Sequence, residues 1–103
     1  MEQVIFHPGA LAELRDATVY YDFCHLGLGK QFLSAVESLV GIAQVYPRAG
    51  RIIRGSFRRL VMKRFPYALI YQEDAEGQLY VVAVMHFNRK PDYWHSRMND
   101  VIR

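Results

Sequence analysis

Leu79-Tyr80-Val81-Val82-Ala83-Val84-Met85-His86 is the stretch whose reading decides the fold. Val81 through Met85 are apolar without a break, and the valines among them favour a pleated, packed surface over a helix. The run falls far short of the ~20 apolar residues that cross a bilayer. It therefore reads as a central strand covered on at least one face by helices.

Working backward from it, Glu73-Asp74-Ala75-Glu76-Gly77 is a polar connection of hairpin length, and Tyr67 to Tyr71 is the strand it returns from. Phe65-Pro66-Tyr67 separates that strand from an earlier one around Phe57 and Leu60-Val61-Met62, because proline cannot donate to a ladder. Before Pro47 the period becomes helical. Phe32, Val36, Leu39, Ala43 and Tyr46 make one apolar stripe, and Leu11, Leu14, Thr18, Tyr21 and Cys24 make another. Leu26-Gly27-Leu28-Gly29 joins the two helices as an antiparallel hairpin, with Gly27 suited to a left-handed cap. Pro8 opens the first helix, and Gln3 to Phe6 is a short strand. Forward of His86, Asn88 to Arg103 is a polar tail with Tyr93 and Trp94 embedded. The predicted architecture is α+β: an N-terminal strand, then an antiparallel helical hairpin packed on a small, mainly antiparallel β-sheet. The order is β-α-α-β-β-β with a short C-terminal tail or helix.

The chain has 103 residues, 51% of them hydrophobic and 14% aromatic, which suits a single packed domain over residues 1–103. Cys24 is the only cysteine, so an intramolecular disulfide and a cysteine-rich zinc site are excluded. On the apolar stripe of the first helix it is expected to be a buried structural thiol. Met1-Glu2-Gln3-Val4 carries no charged and apolar leader, so a cytoplasmic protein with no membrane partner is expected.

The net charge is only +3, from 13 Lys+Arg against 10 Asp+Glu, but its distribution is uneven. No acidic residue lies between Glu37 and Glu73, whereas Arg48, Arg51, Arg54, Arg58, Arg59, Lys63 and Arg64 all do. Such segregation is either a solvated basic face or an electrostatic footprint for a polyanion, and a merely soluble surface usually mixes both signs.

Familiar enzyme signatures are missing. Gly27 and Gly29 lack the strand-turn-helix setting of a phosphate loop, and the serines lack nucleophile-elbow spacing. His7, His25, His86 and His95 lack ligand spacing, so neither a metal nor an organic cofactor is expected. A cationic and aromatic set remains. Arg58, Arg59, Lys63 and Arg64 precede the central strands, and His86, Arg89, Lys90, Tyr93, His95 and Arg97 follow them. Metal-free RNA cleavage needs a base, an acid and cations around the phosphorane, which these residue types can supply. The structural alternatives are equally concrete. Tyr93 and Trp94 can cover the sheet, Arg89 and Arg97 can pair with Asp92 and Asp100, and His86 can pack with one hydrogen bond.

Arg58-Arg59-Leu60-Val61, Arg64-Phe65-Pro66-Tyr67, Ile70-Tyr71, Val82 to His86, Arg89-Lys90-Pro91 and Tyr93-Trp94 with Arg97 together resemble the RelE/ParE superfamily. These are the toxins of bacterial type II toxin–antitoxin systems, often described as plasmid stabilisation proteins. The resemblance covers nearly the whole chain. It implies a growth-inhibiting toxin neutralised by a cognate antitoxin that is small, acidic and partly disordered. RelE-like members cut mRNA on the ribosome, which would make this chain a metal-free endoribonuclease with Arg64, Arg89, Tyr93 and His95 as catalytic candidates. ParE-like members inhibit DNA gyrase and have no such activity. For either target, Arg58, Arg59, Lys63, Arg64, His86, Arg89, Lys90, Trp94 and Arg97 are the candidate binding residues. Where RelE-like enzymes carry a catalytic arginine after the third-strand tyrosine, this chain has Ala68. That departure favours the ParE-like mode. A non-toxic basic nucleic-acid- or protein-binding module is the remaining alternative.

Overall fold

A computed structural model describes residues 4–98. The elements are β1 (Val4–Phe6), α1 (Pro8–Cys24), α2 (Leu28–Val45), β2 (Arg51–Arg54), β3 (Phe57–Val61), β4 (Tyr67–Glu73) and β5 (Leu79–His86), with a 3-10 turn at His95–Arg97. The predicted α+β order holds, and β2 is an addition to it. Arg51-Ile52-Ile53-Arg54 turns at Gly55, which has a φ of 56°, and pairs antiparallel with β3. Its two arginines hid its strand character.

The sheet order is β1-β5-β4-β3-β2. β1 lies parallel to β5, and every other neighbouring pair is antiparallel. As expected, Pro8 sits at the start of α1, and the His7 side chain accepts a hydrogen bond from the Gly9 amide at 2.9 Å. Gly27, at a φ of 89°, makes the left-handed turn between the helices. The Asp22 carboxylate steadies that turn by accepting from the amides of Gly27 and Gly29.

Burial explains why β5 is apolar throughout. Val81 and Val84 pack with Leu69 and Tyr71 beneath the helical hairpin, against Ala17, Phe32 and Val36. Val82, Ala83 and Met85 join Phe57, Ala68, Ile70 and Trp94 in a second cluster on the opposite face. The β4–β5 register slips between Ile70 and Tyr71, so Val82 is an extra residue bulged into β5. The strand is thus covered on both faces, by helices on one and by the tail on the other.

Two stripe members depart from expectation. Cys24 is exposed rather than buried, because the cover over α1 ends with Tyr21, whose ring meets Phe32 and Phe65. The last turn of α1 extends past the sheet. Tyr46 is likewise exposed, and the buried stripe of α2 stops at Ala43.

Candidate functional site

After β5 the chain turns back over the sheet and places Trp94 on Phe57, ring centroids 5.5 Å apart. Trp94 is only 1% exposed, and its indole N–H donates to the Pro91 carbonyl at 2.8 Å. Expected to cover the sheet or to bind a target, it does the first.

The tail then closes on Glu13 of α1, a residue that sequence reasoning missed. Glu13 Oε1 accepts from the Val84 amide at 3.0 Å and from Arg97 at 3.1 Å. Oε2 accepts from the Tyr93 hydroxyl at 2.6 Å and from the second Arg97 nitrogen at 3.1 Å. Arg97 also donates to the Val82 carbonyl at 3.0 Å. β1 pairs with β5 only through Leu79–Val81, so beyond that point a carboxylate–guanidinium pair occupies the strand's outer edge. Gly9 leaves room for it, since a Cβ there would lie 2.5 Å from the Arg97 guanidinium carbon. The available signal was an acid on the buried stripe, between Ala10 and Ala17 at helical spacing.

Arg89 completes the cluster. Its guanidinium stacks 3.8 Å above the Tyr93 ring and lies 3.8 Å from Glu13. Both arginines turn to Glu13 rather than to Asp92; the expected pairing with Asp100 lies outside the described residues. Burial, followed by the hydrogen bond to Glu13, raises the Tyr93 hydroxyl well above its ordinary pKa. It is a proton donor held in place. A cleft of about 280 Å³ opens beside this cluster, lined by Glu13, Asp16, Tyr20, Tyr67, His86 and Arg89.

The other candidates are dispersed. His86 packs edge-to-face on Tyr67 at 4.9 Å, and its Nδ1 accepts from the Asn88 amide at 2.9 Å. His95 is exposed, with Nδ1 3.1 Å from the Met98 sulfur. Arg64, in the turn after β3, donates to Gln31 of α2 and stacks on Phe65, which carries it to the hairpin side. Ala68 is fully buried in the second cluster, on the tail side. Strand alternation also divides the adjacent arginines. Arg58 donates to the Gly50 carbonyl at 2.8 Å, whereas Arg59 lies over the Phe87 ring at 5.7 Å. Lys63 and Lys90 are exposed in turns. Of the candidates, Arg89, Tyr93 and Arg97 converge on Glu13, and His86 shares the adjoining cleft with Arg89.

Away from the tail, a groove of about 450 Å³ runs between β1 and the hairpin, lined by Val4, Phe6, Leu14, Val36, Val40 and Gly41. Gly41 has no heavy atom within 4 Å of where a Cβ would stand. No helix among the described residues is long and apolar enough to cross a membrane.

Residues 4–91 match the family model described as the ParE toxin of the type II toxin-antitoxin system, parDE. No curated protein matches. A solved chain from the chromosomal ParDE TA system of P. aeruginosa superposes with a TM-score of 0.70 at 16% identity. The match covers 84% of this chain and 96% of that one, and it speaks to the fold.

Proposed function

The chain belongs to the ParE toxin family of type II toxin–antitoxin systems, and from that premise we propose that it arrests growth by binding DNA gyrase rather than by cutting mRNA. The observation that supports this reading is the state of position 68. Ala68 is fully buried under the tail among Phe57, Ile70 and Trp94, where a cleaving enzyme would need a cation facing its substrate. Tyr93 and Arg97 fit the same account, because both are engaged by Glu13. Induction in a sensitive host should raise an SOS response and gyrase-linked DNA breaks. Codon-phased cuts in mRNA on primer extension would overturn the assignment.

The family implies a cognate antitoxin. We place its neutralising helix in the groove between β1 and the hairpin, because that groove is lined mainly by apolar residues, with Glu37 and Gln44 as its polar ones, and is open at Gly41. The rest of the antitoxin is acidic and partly disordered, suited to the acid-free segment between Glu37 and Glu73. Gly41→Trp fills the groove without touching the tail. It should weaken binding of the product of the adjacent reading frame by more than about tenfold, the effect of losing a central anchor. Growth arrest by the toxin alone should persist. Full neutralisation of Gly41→Trp by that product would place the helix elsewhere.

A further inference from the structure

A second concentration of unused chemistry lies on the tail side of the sheet, at the end away from Glu13. Arg59 faces that side, directly opposite Arg51 on β2 and Ile70 on β4. Like charges placed directly across a ladder repel. Among the described residues, no carboxylate pairs with Arg51, Arg54 or Arg59. Arg59 Nε is moreover buried with no hydrogen-bond partner. Folding thus leaves a desolvated donor and an uncompensated charge pair side by side, an arrangement that costs stability unless something binds there.

Beside it is a recess of about 170 Å³. Arg54 and Arg59 line it from the β2–β3 end, Asp92 is its one acidic wall, and Ile53, Ile70 and Met85 contribute apolar surface. We infer that this recess is a carboxylate site, which takes an acidic side chain from an extended segment of the antitoxin and seats that segment's apolar neighbour on Ile53. The inference rests on the antitoxin reading above, and it names where the acidic part of that partner is held. Guanidinium groups suit carboxylates through paired N–H donors. The recess is also small, and it lacks a stacking platform of the kind single-stranded nucleic acid uses. Trp94 is buried beneath it, and Arg59 already lies over the Phe87 ring.

The test titrates the intact chain, at physiological ionic strength, with a short fluorescein-labelled peptide of alternating Glu and Leu. Arg59→Met and Arg54→Met should each weaken binding about tenfold, as expected for loss of a charge-assisted hydrogen bond. Arg64→Met removes the same charge from the far side of the sheet and should change it less than about twofold, as for a screened surface cation. Arg59→Met should also raise the melting temperature by about 4 °C, because it relieves the opposition to Arg51 and removes the orphan donor. Equal weakening by Arg64→Met would reduce the effect to general electrostatics and overturn the site. So would tighter, Arg59-dependent binding of single-stranded RNA of the same charge, or a peptide affinity indifferent to both variants. Growth arrest reads the toxin assignment separately, so a failure of one is not mistaken for a failure of the other.

Discussion

The two faces of the sheet are closed by different means. On the hairpin side, aliphatic and aromatic residues of α1 and α2 meet those of β4 and β5, and nothing charged is needed to join them. On the tail side, a smaller cluster lies under Trp94, and its rim is tied by one carboxylate to two arginines and a tyrosine. The contrast teaches that the residues with the most enzyme-like chemistry, Tyr93 and Arg97, complete the fold here. Apolar closure is tolerant of detail, whereas an ionic closure fails when a single partner is lost.

The comparison breaks most visibly at Trp94. Trp94→Ala should cost about 3–5 kcal/mol, the range for removing a large buried aromatic. A melting temperature within a few degrees of wild type would mean that the tail is an accessory rather than a cover. Next is Glu13→Ala, which strands Arg97 and the Val84 amide together. About 3 kcal/mol should be lost on chemical denaturation, as when a buried pair is broken from one side. A loss under 1 kcal/mol would make the cluster ordinary surface pairing.

Tyr93→Phe is smaller, about 1.5 kcal/mol for one hydrogen bond to a charged group. It also carries a pH signature. The folded-state pKa of Tyr93 is raised above its ordinary value of 10.0, so its contribution is complete below that pH and is lost as pH climbs beyond it. Stability measured on the alkaline side should fall less steeply in Tyr93→Phe than in wild type. Identical slopes would remove Tyr93 from the account. The smallest effect belongs to the hairpin's end, where Cys24→Ser should change stability by less than about 0.5 kcal/mol. A larger loss, read by the same denaturation, would mean that the thiol is packed after all.

Much of this was legible in the sequence, for reasons tied to particular residues. The run from Val81 to Met85 announced a central strand covered on at least one face, and Gly27 marked the helical turn because few residues tolerate its φ. Ala68 marked the missing catalytic arginine of RelE-like enzymes in the sequence, and its burial became visible only in the fold. β2 was not legible, since Arg-Ile-Ile-Arg reads as charge unless its pairing with β3 is seen. Glu13 was missed because its partners lie at the other end of the chain. The arginines at 58 and 59 were read as one surface, and only pleating separates them.

Glu13 and Arg97 are 84 positions apart, and that distance sets an order of events during synthesis. All helices and strands of the hairpin face precede Phe87, so that face emerges before the segment that covers the other one. The Glu13–Arg97 lock cannot close until the segment carrying Arg97 has left the exit tunnel. Until then Ile70, Val82 and Met85 have no lid, and a stalled or prematurely ended translation product would present them to chaperones and proteases. A chain cut short before Trp94 would therefore leave an apolar sheet face exposed to solvent.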